Sequence, residues 1–156
     1  MSATTHHRIE VRRGRCLHVE VREPRRRTGE AVLILHGFTG SADTMRGVAA
    51  GLGDDRRCIL VDLLGHGSSD APSAPDDYRM ARCLEDLVSV LEELKQHRVH
   101  LVGYSMGARV ALSFAAAHSE RVCSALLVGA RAGIEDPVAR RTRIEADEDL
   151  AQRILE

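Results

Sequence analysis

Apolar side chains recur at every second position on both sides of Gly14. Ile9 and Val11 precede it, and Leu17, Val19 and Val21 follow it in alternation with His18 and Glu20. That is the period of strands with one buried face, so residues 1–29 predict an antiparallel hairpin closed by Pro24 and Gly29. The pattern then changes to short continuous apolar runs, Ala31 to Leu35, Cys58 to Val61, Val99 to Val102 and Ser124 to Val128, which predict strands buried on both faces. Between the second and third runs, Met80, Cys83, Leu84, Leu87, Val88, Leu91 and Leu94 are spaced three and four apart, one face of an amphipathic helix. Shorter helical stretches, Thr44 to Leu52 and Met106 to Ala117, fill the neighbouring gaps. Strand and helix alternate through the middle of the chain, which predicts a doubly wound α/β fold: a mostly parallel sheet with helices on both faces and an antiparallel hairpin at one edge.

After Gly133 the texture shifts to a charged stretch from Glu135 to Glu156. Its large apolar residues are Val138, Ile144, Leu150, Ile154 and Leu155, with Ile134 just before it. This stretch predicts a loosely anchored helix, and a surface helix and the start of a lid fit it equally. The expected organisation is one domain over 1–156, with a hairpin (1–29), a core (30–133) and this tail (134–156).

The chain has 156 residues, 44% hydrophobic and 3% aromatic, with a formal net charge of -1. At that length one domain buries roughly 68–70% of the surface its unfolded chain exposes, enough for a core without staples. The four cysteines, Cys16, Cys58, Cys83 and Cys123, stand far apart with no metal-ligand spacing, so a reducing, cytoplasmic setting is expected. No apolar run approaches the roughly 20 residues of a membrane helix, so no membrane association is expected. All 22 basic residues but Lys95 are Arg, and 23 acids balance them, which argues against a nucleic-acid partner. The Arg-rich stretch from Arg8 to Arg27 is interleaved with Glu10, Glu20 and Glu23 and reads as a solvated hairpin.

Chemistry concentrates in three short segments, each following a buried run. Gly103-Tyr104-Ser105-Met106-Gly107 lies between a strand and a helix, the setting of a nucleophile elbow. A serine on such a turn takes strained backbone angles, and the glycines on either side leave room for the crowded backbone. The helix from Met106 aims free N–H groups and its positive end at charge developing beside Ser105. In His36-Gly37-Phe38-Thr39-Gly40, the backbone N–H of Phe38 is expected to join that of Met106 as a two-donor oxyanion hole. His36 reads as a hydrogen-bonded turn residue, and His66, in Asp62-Leu63-Leu64-Gly65-His66-Gly67, as structural.

On these segments the chain resembles the α/β-hydrolase superfamily. Within it, Arg109 inside the elbow helix and the tail after Gly133, with Arg140, Arg143 and Asp147, resemble the 2-succinyl-6-hydroxy-2,4-cyclohexadiene-1-carboxylate synthases of menaquinone biosynthesis. Two positions depart from the pattern: Leu64, where the superfamily usually has proline, and Ala108, where this family usually has a third glycine. The resemblance implies a lyase that eliminates pyruvate from a carboxylate-rich cyclohexene, using a serine, histidine and aspartate triad that removes a proton. No cofactor and no metal are implied, and the partner is a small-molecule carboxylate substrate. By the same resemblance Arg109 and Arg143 stand near the substrate carboxylates, with Tyr104 lining that pocket. Guanidinium groups suit such a ligand because they pair with carboxylates in a bidentate way. An exposed lid charge is an equal reading of Arg143.

In this fold the triad acid and histidine follow the serine along the chain. The one later histidine, His118, lies a helix of about 12 residues away, roughly 18 Å along the axis, too far to face the serine hydroxyl. Asp136 has no histidine to orient. The expectation is therefore a superfamily domain truncated before its last strands and its triad Asp and His, inactive as it stands, with an uncovered strand near Leu127 inviting self-association. A serine ester hydrolase of the same superfamily and a non-catalytic fragment that pairs with another chain are the alternatives.

Overall fold

Alternation forms the hairpin where it is predicted: β1 (Ala3–Arg12) pairs antiparallel with β2 (Arg15–Glu23), which in turn runs antiparallel to β4 (Cys58–Val61). In the computed structural model, which describes residues 3–12, 14–131 and 133–155, the sheet order is β1-β2-β4-β3-β5-β6. The side chains of Leu150, Ile154 and Leu155 and all of Glu156 lie outside what is described. β3 (Ala31–Leu35), β5 (Val99–Tyr104) and β6 (Val122–Val128) complete a parallel set with β4. Four helices connect and flank these strands: α1 (Arg46–Gly51), α2 (Met80–Glu93), α3 (Met106–Ala117) and α4 (Pro137–Leu155).

The continuous apolar runs fill both faces of the sheet. Along β3, Ala31, Leu33 and Leu35 point into a cluster with the hairpin, α2 and α3, including Leu87, Leu91 and Phe114. Val32 and Ile34 point the other way, into a smaller cluster with Met45, Ala49 and Leu60. Successive strand residues face opposite sides, so a run without polar breaks is required where helices cover both.

β6 departs from the expectation of two-sided burial. Leu127 packs against the core, but Leu126 and Val128 are 57% and 48% exposed. The reason is position: β6 is the last strand in the sheet order, and α1, on that side of the sheet, packs over β3 and β4 and does not reach it. α4 also stands apart, every described side chain along it being exposed.

Among the described residues Arg8, Arg12, Arg15 and Arg22 of the hairpin pair with acids supplied later in the chain. Arg12 grips the buried carboxylate of Asp86 on α2 with two bonds of 2.6 and 2.8 Å and also reaches Asp77. Arg15 bonds Asp77, and Arg8 bonds Asp70. The pairs of Arg8, Arg12 and Arg15 fasten the hairpin to α2 and to the loop before it. Among the described residues no helix is long and apolar enough to cross a membrane.

Candidate active site

The elbow is a packing solution. β5 and α3 cross so closely at the turn that a Cβ on Gly103 would lie 2.5 Å from the Gly107 carbonyl and 2.6 Å from Ala108 Cα. One on Gly107 would lie 2.5 Å from the carbonyl of His36 at the end of β3. Only glycine fits either place. Between them Ser105 adopts φ 51° and ψ -108°, a region a non-glycine residue enters only when its surroundings impose it. Its N–H is held by the Val128 carbonyl at 2.8 Å. Its side chain makes no capping bond to α3, and Ser105 is exposed.

Two loops at the ends of β3 and β4 support the turn. His36 is fully buried; its Nε2 accepts the Leu63 N–H at 3.1 Å, so its Nδ1 carries the proton and donates to the Gly37 carbonyl at 2.7 Å. Burial pushes the His36 imidazole below its usual range, so the ring is a neutral bridge between the loops and both its nitrogens are committed. Gly37 lies against Ser105, a Cβ on it falling 3.7 Å from the serine Cβ, which brings the start of the Phe38 loop to the nucleophile. Asp62, at the end of β4, accepts the Ala42 N–H at 2.5 Å, the Ser68 N–H at 2.9 Å and His18 Nδ1 at 2.8 Å. Burial alone would raise this carboxyl, but the bonds from Ala42, Ser68 and His18 outweigh it and hold it below the ordinary range.

Two cavities meet at Met80. One, of about 530 Å³, is lined by Ser105, Arg109, Arg131 and Arg143, with Asp147 and Ile134 beside them. The other, of about 270 Å³, is lined mainly by apolar groups, among them Phe38, Met106, Leu63 and Tyr78. Arg143 donates its Nε to both Asp147 oxygens at 2.8 Å. That ion pair raises the guanidinium and lowers the Asp147 carboxyl. Burial pushes the Cys83 thiol, in the apolar cavity, up to about 12, so it stays a thiol.

The structure therefore brings Ser105, Arg109 and Arg143 to one cavity and sets Phe38 and Met106 together on its neighbour. Tyr104 is not among the residues lining the Ser105 cavity. As the last residue of β5 its side chain leaves the sheet opposite to Gly103, over Gly37, and is 53% exposed. Arg131 was missed by sequence reasoning. The available signal was its place just after β6, because ligand sites of α/β sheets gather at the carboxyl ends of the strands. Among the described residues no histidine lines the Ser105 cavity. His66 packs against His36 and Phe38 in the apolar one, and His118 lies at the far end of α3.

The sequence profile of the alpha/beta hydrolase fold matches residues 30–155. A Bacillus subtilis (strain 168) protein provisionally named 2-succinyl-6-hydroxy-2,4-cyclohexadiene-1-carboxylate synthase is 44% identical over 126 residues, which are 81% of this chain and 46% of that protein. The Klebsiella pneumoniae protein of that name is 34% identical over 122 residues, 78% of this chain and 47% of the relative. Among solved structures, a Vigna radiata epoxide hydrolase mutant superposes with a TM-score of 0.76 at 27% identity, covering 86% of this chain and 41% of that one. The chain thus spans under half the length of these relatives.

Proposed function

This chain belongs to the alpha/beta hydrolase fold family, and from that premise we propose that it carries the serine and the carboxylate-binding arginines of a 2-succinyl-6-hydroxy-2,4-cyclohexadiene-1-carboxylate synthase-type site, a lyase of menaquinone biosynthesis. The observation that carries the reading is the single cavity holding a strained, outward-facing serine and three guanidinium groups, Arg109, Arg131 and Arg143. A simple ester needs no such cluster, whereas a substrate with several carboxylates needs counter-charges held apart at fixed places.

In this reading Arg109 and Arg143 pair with substrate carboxylates and fix the ring over Ser105. The serine oxygen takes a proton from the substrate, electrons move to expel pyruvate, and no acyl-enzyme forms. The N–H groups of Phe38 and Met106 receive the negative charge that develops. A serine hydroxyl accepts a proton poorly at neutral pH unless a base relieves it of its own. Among the described residues no histidine lines the Ser105 cavity, so these residues alone are expected to bind the ligand with turnover near background.

Calorimetric binding of the product, 2-succinyl-6-hydroxy-2,4-cyclohexadiene-1-carboxylate, tests recognition, and pyruvate release from the enolpyruvyl-bearing cyclohexene substrate, followed separately, tests turnover. Binding weakened about tenfold by Arg109→Ala is expected, the value of one exposed charge-assisted contact. Rapid hydrolysis of an activated ester, abolished by Ser105→Ala, with no affinity for the carboxylate ligand, would replace this reading with a serine ester hydrolase. Neither binding nor hydrolysis would leave a non-catalytic partner of another chain.

A further inference from the structure

Away from the elbow, on the outer face of the hairpin, three potential metal ligands converge. His6 on β1 lies directly across from Glu20 on β2, and His18 sits two residues before Glu20 on the same strand. The period of two therefore puts all three on one face. His6 Nδ1 is 3.2 Å from His18 Nε2 and 3.9 Å from Glu20 Oε1, and the three ligand atoms lie within 4.8 Å of one another. Two nitrogens bound tetrahedrally to one zinc ion are about 3.3 Å apart, given zinc–nitrogen bonds of about 2.0–2.1 Å. The His6–His18 spacing is already that of a ligand pair.

What sets this cluster apart from a chance meeting of polar side chains is the group behind it. Asp62 accepts from His18 Nδ1 at 2.8 Å while its oxygens also accept the Ala42 and Ser68 N–H groups. An acceptor so placed puts the His18 proton on Nδ1 and turns the Nε2 lone pair outward, toward His6. Metal-bound histidines are oriented in this way, by a carboxylate on the nitrogen that does not bind the metal. Asp62 is itself anchored at the end of β4, so the orientation of His18 is built into the fold.

We propose that His6, His18 and Glu20 form a binding site for a borderline divalent transition metal such as Zn²⁺, with Asp62 as the positioning residue behind His18. Two imidazoles and one carboxylate suit that class, and hard cations such as Mg²⁺ prefer all-oxygen sites. His6 is half exposed, which gives the ion an entry path and leaves a coordination position to water. The resident competitor is Arg46, which bonds Glu20 Oε1 through NH2 at 2.6 Å and Oε2 through Nε at 2.8 Å. A bound ion takes Oε1, while Arg46 keeps Oε2 and its contact with Asp43. The site ties the outer strand to its neighbour and stands apart from the serine chemistry.

Titration of the chain with Zn²⁺ by calorimetry, and with Co²⁺ by its visible absorption, tests the site. Uptake of one equivalent is expected, weakened at least tenfold by His6→Ala and by His18→Asn. Arg46→Met is expected to tighten binding severalfold, because it removes the competitor for Glu20, an effect that a purely structural histidine pair would not produce. If His18→Asn fails to fold by circular dichroism, His6→Ala decides alone, since that ring is exposed. No uptake, uptake indifferent to the histidine substitutions, or weaker binding in Arg46→Met would overturn the proposal.

Discussion

The turn that holds Ser105 and the helix that carries Arg143 face the same cavity and are built in opposite ways. Ser105 is fixed from below: two glycines with backbone against them, a carbonyl on its N–H, and the buried His36 bridge alongside. Among the described residues α4 shows no such support. Its apolar residues Val138 and Ile144 are exposed, and Arg143 pairs with Asp147, one turn along the same helix. Under the proposed function the reacting atom is placed by the core, and part of the charge recognition by a helix whose described side chains are all exposed. Substitutions should separate the two, with stability read at the elbow and ligand affinity read at the helix.

The largest effect is expected at Gly103. A valine there drives two methyl groups into the Gly107 carbonyl and Ala108 backbone, and neither can retreat without moving α3. A loss of about 4 kcal/mol of folding stability, the upper range for overpacking, is expected by urea denaturation. Full stability in Gly103→Val would mean that the crossing of β5 and α3 is looser than described.

That contrast also explains what the sequence made legible. The elbow was readable because strand, turn and helix are local and their glycines answer a local steric demand. The edge hairpin was readable from its period. α4 could be recognised as charged and helical, yet where it sits depends on contacts that leave no periodic trace; Arg131 was missed because it lies in the irregular segment between β6 and α4, where no periodicity marks it. Tyr104 was named from family resemblance; at the end of a strand one position of alternation decides which side a ring takes, and its ring lies over Gly37, the glycine that also lies against Ser105. Asp62 was quoted only as the start of a glycine-rich turn, because three donors from residues 18, 42 and 68 converge on it only after folding.

Asp62 provides the next test. Asp62→Ala strands two backbone N–H groups and the His18 ring, a loss of about 3 kcal/mol when buried donors go unpaired. Its carboxyl is held below the usual range, so the stability it contributes is present above its unfolded value of about 3.9 and is lost as pH falls through the folded value. His36 is depressed as well, by burial. It favours folding above about pH 6.5 and costs stability as pH falls from there toward its folded value. Denaturation midpoints should therefore decline below pH 6.5, and further below 4. Glu20 and Asp70 are held low as well, so Asp62→Asn should shrink the second decline and leave the first; the same profile in both proteins would assign the acid limb to those other groups.

At α4 the expected outcome reverses. Arg143→Ala removes a largely exposed charge whose pair with Asp147 is open to solvent, so folding stability should change by less than about 0.5 kcal/mol. Affinity for the carboxylate ligand should fall about tenfold, near 1.4 kcal/mol. Unchanged binding in Arg143→Ala, with a loss in Arg109→Ala, would make Arg143 a surface charge and confine recognition to the elbow helix.

The smallest energetic effect is expected at β6. Among the described residues its outer edge pairs with no further strand; Leu126 lies beside Val32, Leu52 and Val102, and Val128 is exposed as well. Unpaired N–H and C=O groups next to exposed apolar side chains favour pairing with a second chain. The chain is therefore expected to self-associate at tens of micromolar through this strand. Because Leu127 packs into the core, a lysine there would unfold the domain as readily as it would block association. Leu126→Lys places its charge on the open face, where its aliphatic stem still covers neighbouring carbons, and it should lower the light-scattering mass with little change in thermal midpoint. A monomer in the unsubstituted chain, or association indifferent to Leu126→Lys, would show that the contact lies elsewhere on the surface.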